Sequence, residues 1–470
     1  MKNTLAFRFH AARALAGALF ATAALAASLP AAASPAIQHW TAPTGARVYF
    51  VESHALPLID IQIDFAGGSA ADPADKAGTA SLTRGLLEAG AGELDEQAIS
   101  DRSADLGIAI GGGVEADRSS LSLRTLSSAR ERDAGISLAA ELLARPRFPA
   151  EVLERERARG IAGLKEALTR PGPIAGKQFA QSIYGSHPYG LSTSLESLAA
   201  IGRDDLIAYH GRHYVAHNAS IAIVGDVDRQ TAERIAVSLT EALPAGEPAP
   251  PLAQPRQPEA SVLRIPNPSA QAHVLIGQPV LSREDPDYYP LLVGNYVLGG
   301  GGFVSRLTKE VREKRGYAYS VSSHFMPQQV AGPFQIGLQT RGSQVDDALQ
   351  VVDQTLADFI ANGPTAAELR AAKDNIINGF GLRLDSNRKI LGYVAVIGFY
   401  RLPLDWLDSY PRHVAEVSAE QIRDAYRRRL EPMHRVAVIV GGDGDRQTAP
   451  PAGPAAGETA PAPTAPGALR

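Results

Sequence analysis

The sequence predicts an α+β fold built twice: two homologous domains, each an antiparallel-rich sheet covered by helices. Three observations predict it. The string Gly225-Asp-Val-Asp-Arg-Gln-Thr-Ala232 returns as Gly442-Asp-Gly-Asp-Arg-Gln-Thr-Ala449, at an offset of 217 residues. At the same offset Tyr209 falls on Tyr426, each ahead of a Val/Ile-rich strand. A matched string at fixed spacing is the mark of a duplicated unit. Strands also come in pairs while helices come in runs, which argues against a doubly wound parallel sheet.

Taken in order, residues 1–33 read as a secretory signal peptide. Lys2, Arg8 and Arg13 form a positive leader, Ala14 to Ala27 is an uncharged apolar run, and Ala31-Ala32-Ala33 offers small residues for cleavage before Ser34. The run is short for a bilayer span, so a periplasmic mature chain without a membrane span is expected. Residues 47–52 and 58–65 read as a hairpin, with Val48, Phe50, Ile59, Ile61 and Ile63 in period two. Helices are expected over Thr79–Ala89 and Asp95–Asp105, a second strand pair over Ile108–Ala116 and Ser119–Ser127, and helices over Asp133–Leu143 and Ala150–Leu168. The first domain is placed at 37–243, a Pro-rich linker at 244–259 and the second domain at 260–445. Residues 446–470 are Pro, Ala, Gly and Thr with almost no large apolar side chain, the composition of a disordered tail.

Composition narrows the function classes. With 46 basic and 50 acidic residues the net charge is −4, which gives no electrostatic case for nucleic acid. There are no cysteines, so thiolate metal sites and disulfides are excluded.

The opening motifs carry a resemblance. Tyr49-Phe50-Val51, Gly67-Gly68-Ser69, Asp72 and Gly78-Thr79-Ala80 are similar to the start of the pitrilysin-type, or inverzincin, zinc peptidases. The plan resembles that of the subunits of mitochondrial processing peptidase. The resemblance covers roughly residues 37–445 and implies two domains facing each other as a clamshell. Active members carry His-x-x-Glu-His next, on one helical face, so that two imidazoles hold zinc and the carboxylate reaches its water. A later helix supplies a Glu as third ligand. Here the motif positions read Ser81-Leu82-Thr83-Arg84-Gly85: Ser81 and Gly85 replace the histidines and Arg84 replaces the base. Gly163 falls where the ligand Glu belongs, with Glu166 close by. Zinc needs three protein ligands, so no metal is expected in this chain.

The second half resembles the family more closely. It runs Leu298-Gly299-Gly300-Gly301-Gly302-Phe303-Val304-Ser305-Arg306-Leu307, then Arg312 to Tyr319. The resemblance implies that Arg312 and Tyr319, seven residues apart, donate hydrogen bonds to the scissile carbonyl as it becomes anionic. The bland alternative pairs Arg312 with a carboxylate and leaves Tyr319 half-buried in a strand. The run Gly299–Gly302 is either a loop whose bare backbone admits a peptide or a tight helix connection; without the Lys and Ser/Thr of a phosphate loop it does not suggest a nucleotide. Three glycines, Gly111, Gly112 and Gly113, lie where relatives pair an edge strand with substrate, and either weaken that strand or keep its backbone open. His210, His213 and His217 are the most metal-like cluster left, and no acidic partner follows them at ligand spacing. His187-Pro188-Tyr189-Gly190 resembles a structural loop of the family.

The expected function is that of a non-catalytic subunit, with no cofactor of its own. A homologous catalytic subunit would carry the zinc, and an unstructured peptide would be the substrate. An inert peptide-binding or scaffold protein is the alternative.

Overall fold

The structure, a computed structural model, describes residues 35–442. The expected signal peptide and tail lie outside these residues, as does the second copy of the repeated string after Gly442.

The first half contains β1 (Gln38–Thr41), β2 (Arg47–Glu52), β3 (Leu58–Ala66), α1 (Thr79–Gly85), a short ribbon of β4 (Gly90–Ala91) and β5 (Leu94–Asp95), α2 (Glu96–Leu106), β6 (Ala109–Gly111), β7 (Arg118–Leu126) and α3 (Ala129–Ala144). It continues with α4 (Ala150–Ala167), α5 (Pro171–Tyr184), α6 (Leu195–Ala200), α7 (Arg203–His213), β8 (Ala219–Gly225) and α8 (Arg229–Thr240). The second half contains β9 (Ser261–Ile265), β10 (Gln271–Leu281), α9 (Tyr288–Asn295), β11 (Ala318–Phe325), β12 (Gly332–Arg341) and α10 (Val345–Asn362). Then come α11 (Ala366–Phe380), α12 (Asn387–Phe399), α13 (Trp406–Glu416), α14 (Ala419–Arg429) and β13 (Val436–Gly441).

The first sheet is six-stranded in the order β1-β2-β8-β3-β7-β6, and the second five-stranded in the order β9-β13-β10-β12-β11. β2–β8 and β9–β13 are parallel; every other pairing in the two sheets is antiparallel. Apart from β1, the two sheets share one order and one set of directions, so the fold is α+β and duplicated. Tyr209 and Tyr426 show the same duplication in side chains. Each is buried and donates its hydroxyl to a carbonyl, Gly67 at 2.6 Å and Leu291 at 3.3 Å respectively.

Three local expectations change. β2 and β3 are not a hairpin, because β8 lies between them. Every residue of β8 is buried, and a strand that apolar is stable only with both edges paired. α1 stops at Gly85, short of Ala89, and a 3₁₀ turn follows. The strand expected over Ile108–Ala116 shrinks to β6, because Gly112 takes φ +132° and turns the chain out of extended geometry.

The described chain divides into two compact units that do not coincide with the sequence halves. One takes residues up to 157 with 200–251 and 373–417; the other takes 158–199, 252–372 and 418 onward. The exchanged segments are counterparts. α5 packs on β10 and β13, whereas α12, near the 217-residue offset from α5, packs on β8, β3 and β2. The second contact is a core of Tyr49, Val51, Ala222 and Val224 with Ile390, Leu391, Val394 and Ala395. Gly398 permits the close approach, since a Cβ there would lie 2.5 Å from the Tyr49 ring.

Candidate functional site

In the first unit, α1 carries the positions where relatives bind metal. Its N-terminus is pinned by Asp72, which accepts from the backbone N–H of Gly78 and of Ala80, both at 2.7 Å. These bonds satisfy donors that a helix start leaves free. Burial still pushes the Asp72 carboxyl up to about 6, against the two donors that favour its charged form. Ser81 and Gly85 are exposed and lie one turn apart, and a Cβ on Gly85 would meet nothing within 4 Å.

Arg84 is turned inward and is only 6% exposed. Its Nε donates to Ser120 O at 2.6 Å and another guanidinium N–H donates to Gly111 O, so it bridges β7 and β6. A third donor reaches Glu88 Oε1 at 3.2 Å. The residue in the general-base position is thus a cation committed to main-chain carbonyls.

Gly163 lies on α4 in the other unit, exposed, with open space around its Cα. A serine hydroxyl, two glycines and an arginine supply no imidazole or carboxylate, so these positions do not fit a zinc ion. Among the described residues no group of three or more His, Cys, Asp or Glu could hold a metal.

The glycines after β6 use their polar atoms inside the chain. Gly113 O accepts from Ser120 N at 2.8 Å, and Gly113 N donates to Ser120 Oγ at 3.1 Å. A Cβ at Gly112 would lie 2.1 Å from Ser120 O, so glycine is a packing requirement there.

The histidine cluster is structural. His210 hydrogen bonds to Leu143 O at 2.8 Å, His213 to Ala66 O at 3.3 Å and His217 to Gly246 O at 2.8 Å. Burial lowers the pKa of His210 and His213, which keeps both neutral. In the second unit His187 bonds to Ala253 O at 2.9 Å and stacks edge-on against Tyr189.

That unit brings Arg312 and Tyr319 together. The segment Thr308–Glu313 is a π-helical turn, closed by Lys314 N donating to Lys309 O at 3.0 Å, and Tyr319 follows on β11. π-Helical turns are rare and recur at functional sites. The guanidinium carbon of Arg312 lies 5.2 Å from the Tyr319 ring centre and 5.0 Å from that of Phe303. Cation–π attraction at such distances holds an arginine without neutralising it.

Its neighbours differ. Arg306 is taken up by Glu368, Asp358 and Gly363 O, while Lys314 and Arg315 share Glu310. Among the described residues no carboxylate or other hydrogen-bond acceptor engages the Arg312 guanidinium, so the bland pairing is absent. Nor is Tyr319 half-buried: it is 79% exposed, and Phe303 is 68% exposed. Phe303 had no assigned role in the sequence; the available signal is an aromatic residue directly after four glycines.

The run Gly299–Gly302 is a tight connection in this unit. A Cβ at Gly299 would lie 2.3 Å from Ser323 Oγ, at Gly300 2.7 Å from Asn295 Nδ2 and at Gly301 2.6 Å from Tyr296 O. Gly302 has φ +62° with open space around it.

A family model described as the peptidase M16 inactive domain matches residues 200–376. An uncharacterized zinc protease of Mycobacterium leprae is 28% identical over 437 residues, covering 87% of this chain and 93% of the relative. The non-peptidase homolog YmxG of Helicobacter pylori is 26% identical, covering 80% and 87%. A crystal structure of a peptidase M16 inactive domain from Pseudomonas fluorescens superposes with a TM-score of 0.83 at 38% identity, covering 86% of this chain and 97% of that one.

Proposed function

The chain belongs to the peptidase M16 family as a member without the metal-binding motif, and from that premise we propose that it is the non-catalytic subunit of a heterodimeric zinc peptidase of the periplasm. A homologous partner carries the metal. This chain supplies Arg312 and Tyr319 as donors to the carbonyl oxygen of an unstructured peptide. One observation carries the reading: Arg312 is a cation beside two exposed aromatic rings, with no acid paired to it among the described residues. Its N–H groups are free to donate to an oxygen that gains negative charge, and the exposed Tyr319 hydroxyl provides a neutral donor beside them.

The test is peptide cleavage by the purified complex with Arg312→Ala or Tyr319→Phe in this chain. Loss of one preorganised donor costs about 2.7–4 kcal/mol, or 10²–10³ in turnover. Loss of a surface interaction costs about 0–1 kcal/mol. Unchanged turnover in both variants with the complex intact would reject the donor role and leave an inert peptide-binding or scaffold protein.

A further inference from the structure

β9 is the least covered strand of its sheet, and its counterpart in the first unit shows what is missing. β2 has four consecutive buried residues; it is edged by β1 and packed by α8 and α12. β9 instead stands at the edge and, among the described residues, pairs with β13 alone. Its residues Ser261 to Arg264 are all exposed, with Val262 at 64% and Leu263 at 37%. The sequence differs at the places of two of these three covers. The stretch before β9 holds Pro250, Pro251, Pro255 and Pro258, which cannot donate to a ladder, and it forms no strand. At the 217-residue offset, Pro450 and Pro451 stand where Glu233 and Arg234 continue α8. Despite this exposure β9 keeps Val262, Leu263 and Ile265, and the exposed Met433 sits beside its start through the Ala260 N–Met433 O bond of 2.8 Å. It carries no lysine, proline or bulge of the kind that protects a free edge, and its one charge, Arg264, is paired with Asp346.

We propose that β9 is a dimerisation edge that pairs antiparallel with β9 of a second copy of this chain, joining two five-stranded sheets about a dyad at Leu263. The strand is complementary to itself in that register. Leu263 meets Leu263, Ser261 meets Ile265, and Val262 meets Arg264. The charge of Arg264 is already balanced by Asp346 of its own chain, so no like charges oppose each other across the strands. The remaining segment of the same chain does not suit the role: from Asp443 onward the only large apolar residue is Leu469, so it offers nothing to cover Val262 and Leu263. A two-fold strand pairing is also the simplest closed way to remove an edge. This inference is independent of the donor role of Arg312.

The test uses sedimentation equilibrium of the mature chain with Leu263→Lys and Leu263→Glu. Across a dyad each variant opposes two like charges, so each alone associates at least ~10-fold more weakly than the wild type. Mixed in equal amounts, the Lys and Glu variants pair with each other. Unchanged thermal unfolding of the monomers shows that the fold is intact. A wild-type chain that stays monomeric at about 100 µM, where even weak specific dimers form, overturns the proposal. So does a dimer indifferent to both substitutions, a mixture that stays monomeric, or a monomer whose β9 amides lose protection from exchange when residues 443–470 are removed.

Discussion

Arg84 Nε lies 2.6 Å from the carbonyl oxygen of Ser120, a bond that ties α1 to β7. Arg84→Ala would leave that carbonyl and Gly111 O without their donor. Unsatisfied buried polar groups cost about 1–3 kcal/mol each. We expect a clear loss in the urea midpoint, and a larger one for Arg84→Glu, which would point a carboxylate at two carbonyl oxygens. A midpoint unchanged in both variants would show that the guanidinium holds nothing.

Metal content offers a second check. The mature chain, purified alone, is expected to hold no stoichiometric zinc and to cleave no unstructured peptide, because Ser81, Arg84, Gly85 and Gly163 supply no ligand. One tightly held zinc per chain, with proteolysis abolished by a chelator, would contradict this.

Two arginines of the second unit should separate stability from function. Arg306 is 15% exposed and holds a half-exposed Asp358, a partly exposed Glu368 and a carbonyl, so Arg306→Ala removes several charge-assisted hydrogen bonds and should cost about 1.5–3 kcal/mol. Among the described residues the Arg312 guanidinium is held by aromatic contacts, worth about 0.5–1 kcal/mol at exposed sites. Chemical unfolding of the two variants should give that order; the reverse order would mean that Arg312 is a structural residue.

Acid should act on the same Glu368. Its hydrogen bonds from Arg306 hold the carboxyl down at about 2, below the ordinary 4.5. A depressed folded-state pKa contributes stability that is fully present above the unfolded value and is lost as pH falls. The contribution should therefore fade between pH 4.5 and about 2. Glu368→Gln should remove this part of the pH dependence of unfolding, and a profile that keeps its slope in the variant would assign the effect to another acid.

Export can be checked by mass. The cell-derived protein should begin near Ser34 and appear in the periplasmic fraction, as the charged leader and apolar run predict. Intact chain retaining residues 1–33 in the cytosol would refute the assignment.

The duplicated plan was legible because one string and one tyrosine recur at a single offset, and strand order then follows twice. The loss of the metal site was equally plain, since it depends only on which residue types stand at Ser81, Arg84 and Gly85. The partners of strands were not. A period-two pattern in β2 and β3 says that each is a strand, yet β8, which separates them, arrives much later in the chain. The work of Arg84 was hidden for the same reason: its carbonyls lie 27 and 36 residues away. The setting of Arg312 depends on a π-helical turn at Thr308–Glu313 that no simple periodicity reveals, and on Phe303 from a separate 3₁₀ turn at Gly302–Val304.

The exchange of α5 and α12 sets a clock on biosynthesis. When the ribosome has finished the first half, the sheet of β1 to β8 still lacks α12, and Tyr49, Val51, Ala222 and Val224 have nothing to pack against. The second sheet in turn depends on α5, which was translated long before its strands. A polypeptide arranged this way gains little by folding as it emerges, because neither unit is finished until residues past 399 exist. Such late completion would suit the export that the N-terminal leader predicts, in which a chain is threaded through a secretion channel while still unfolded.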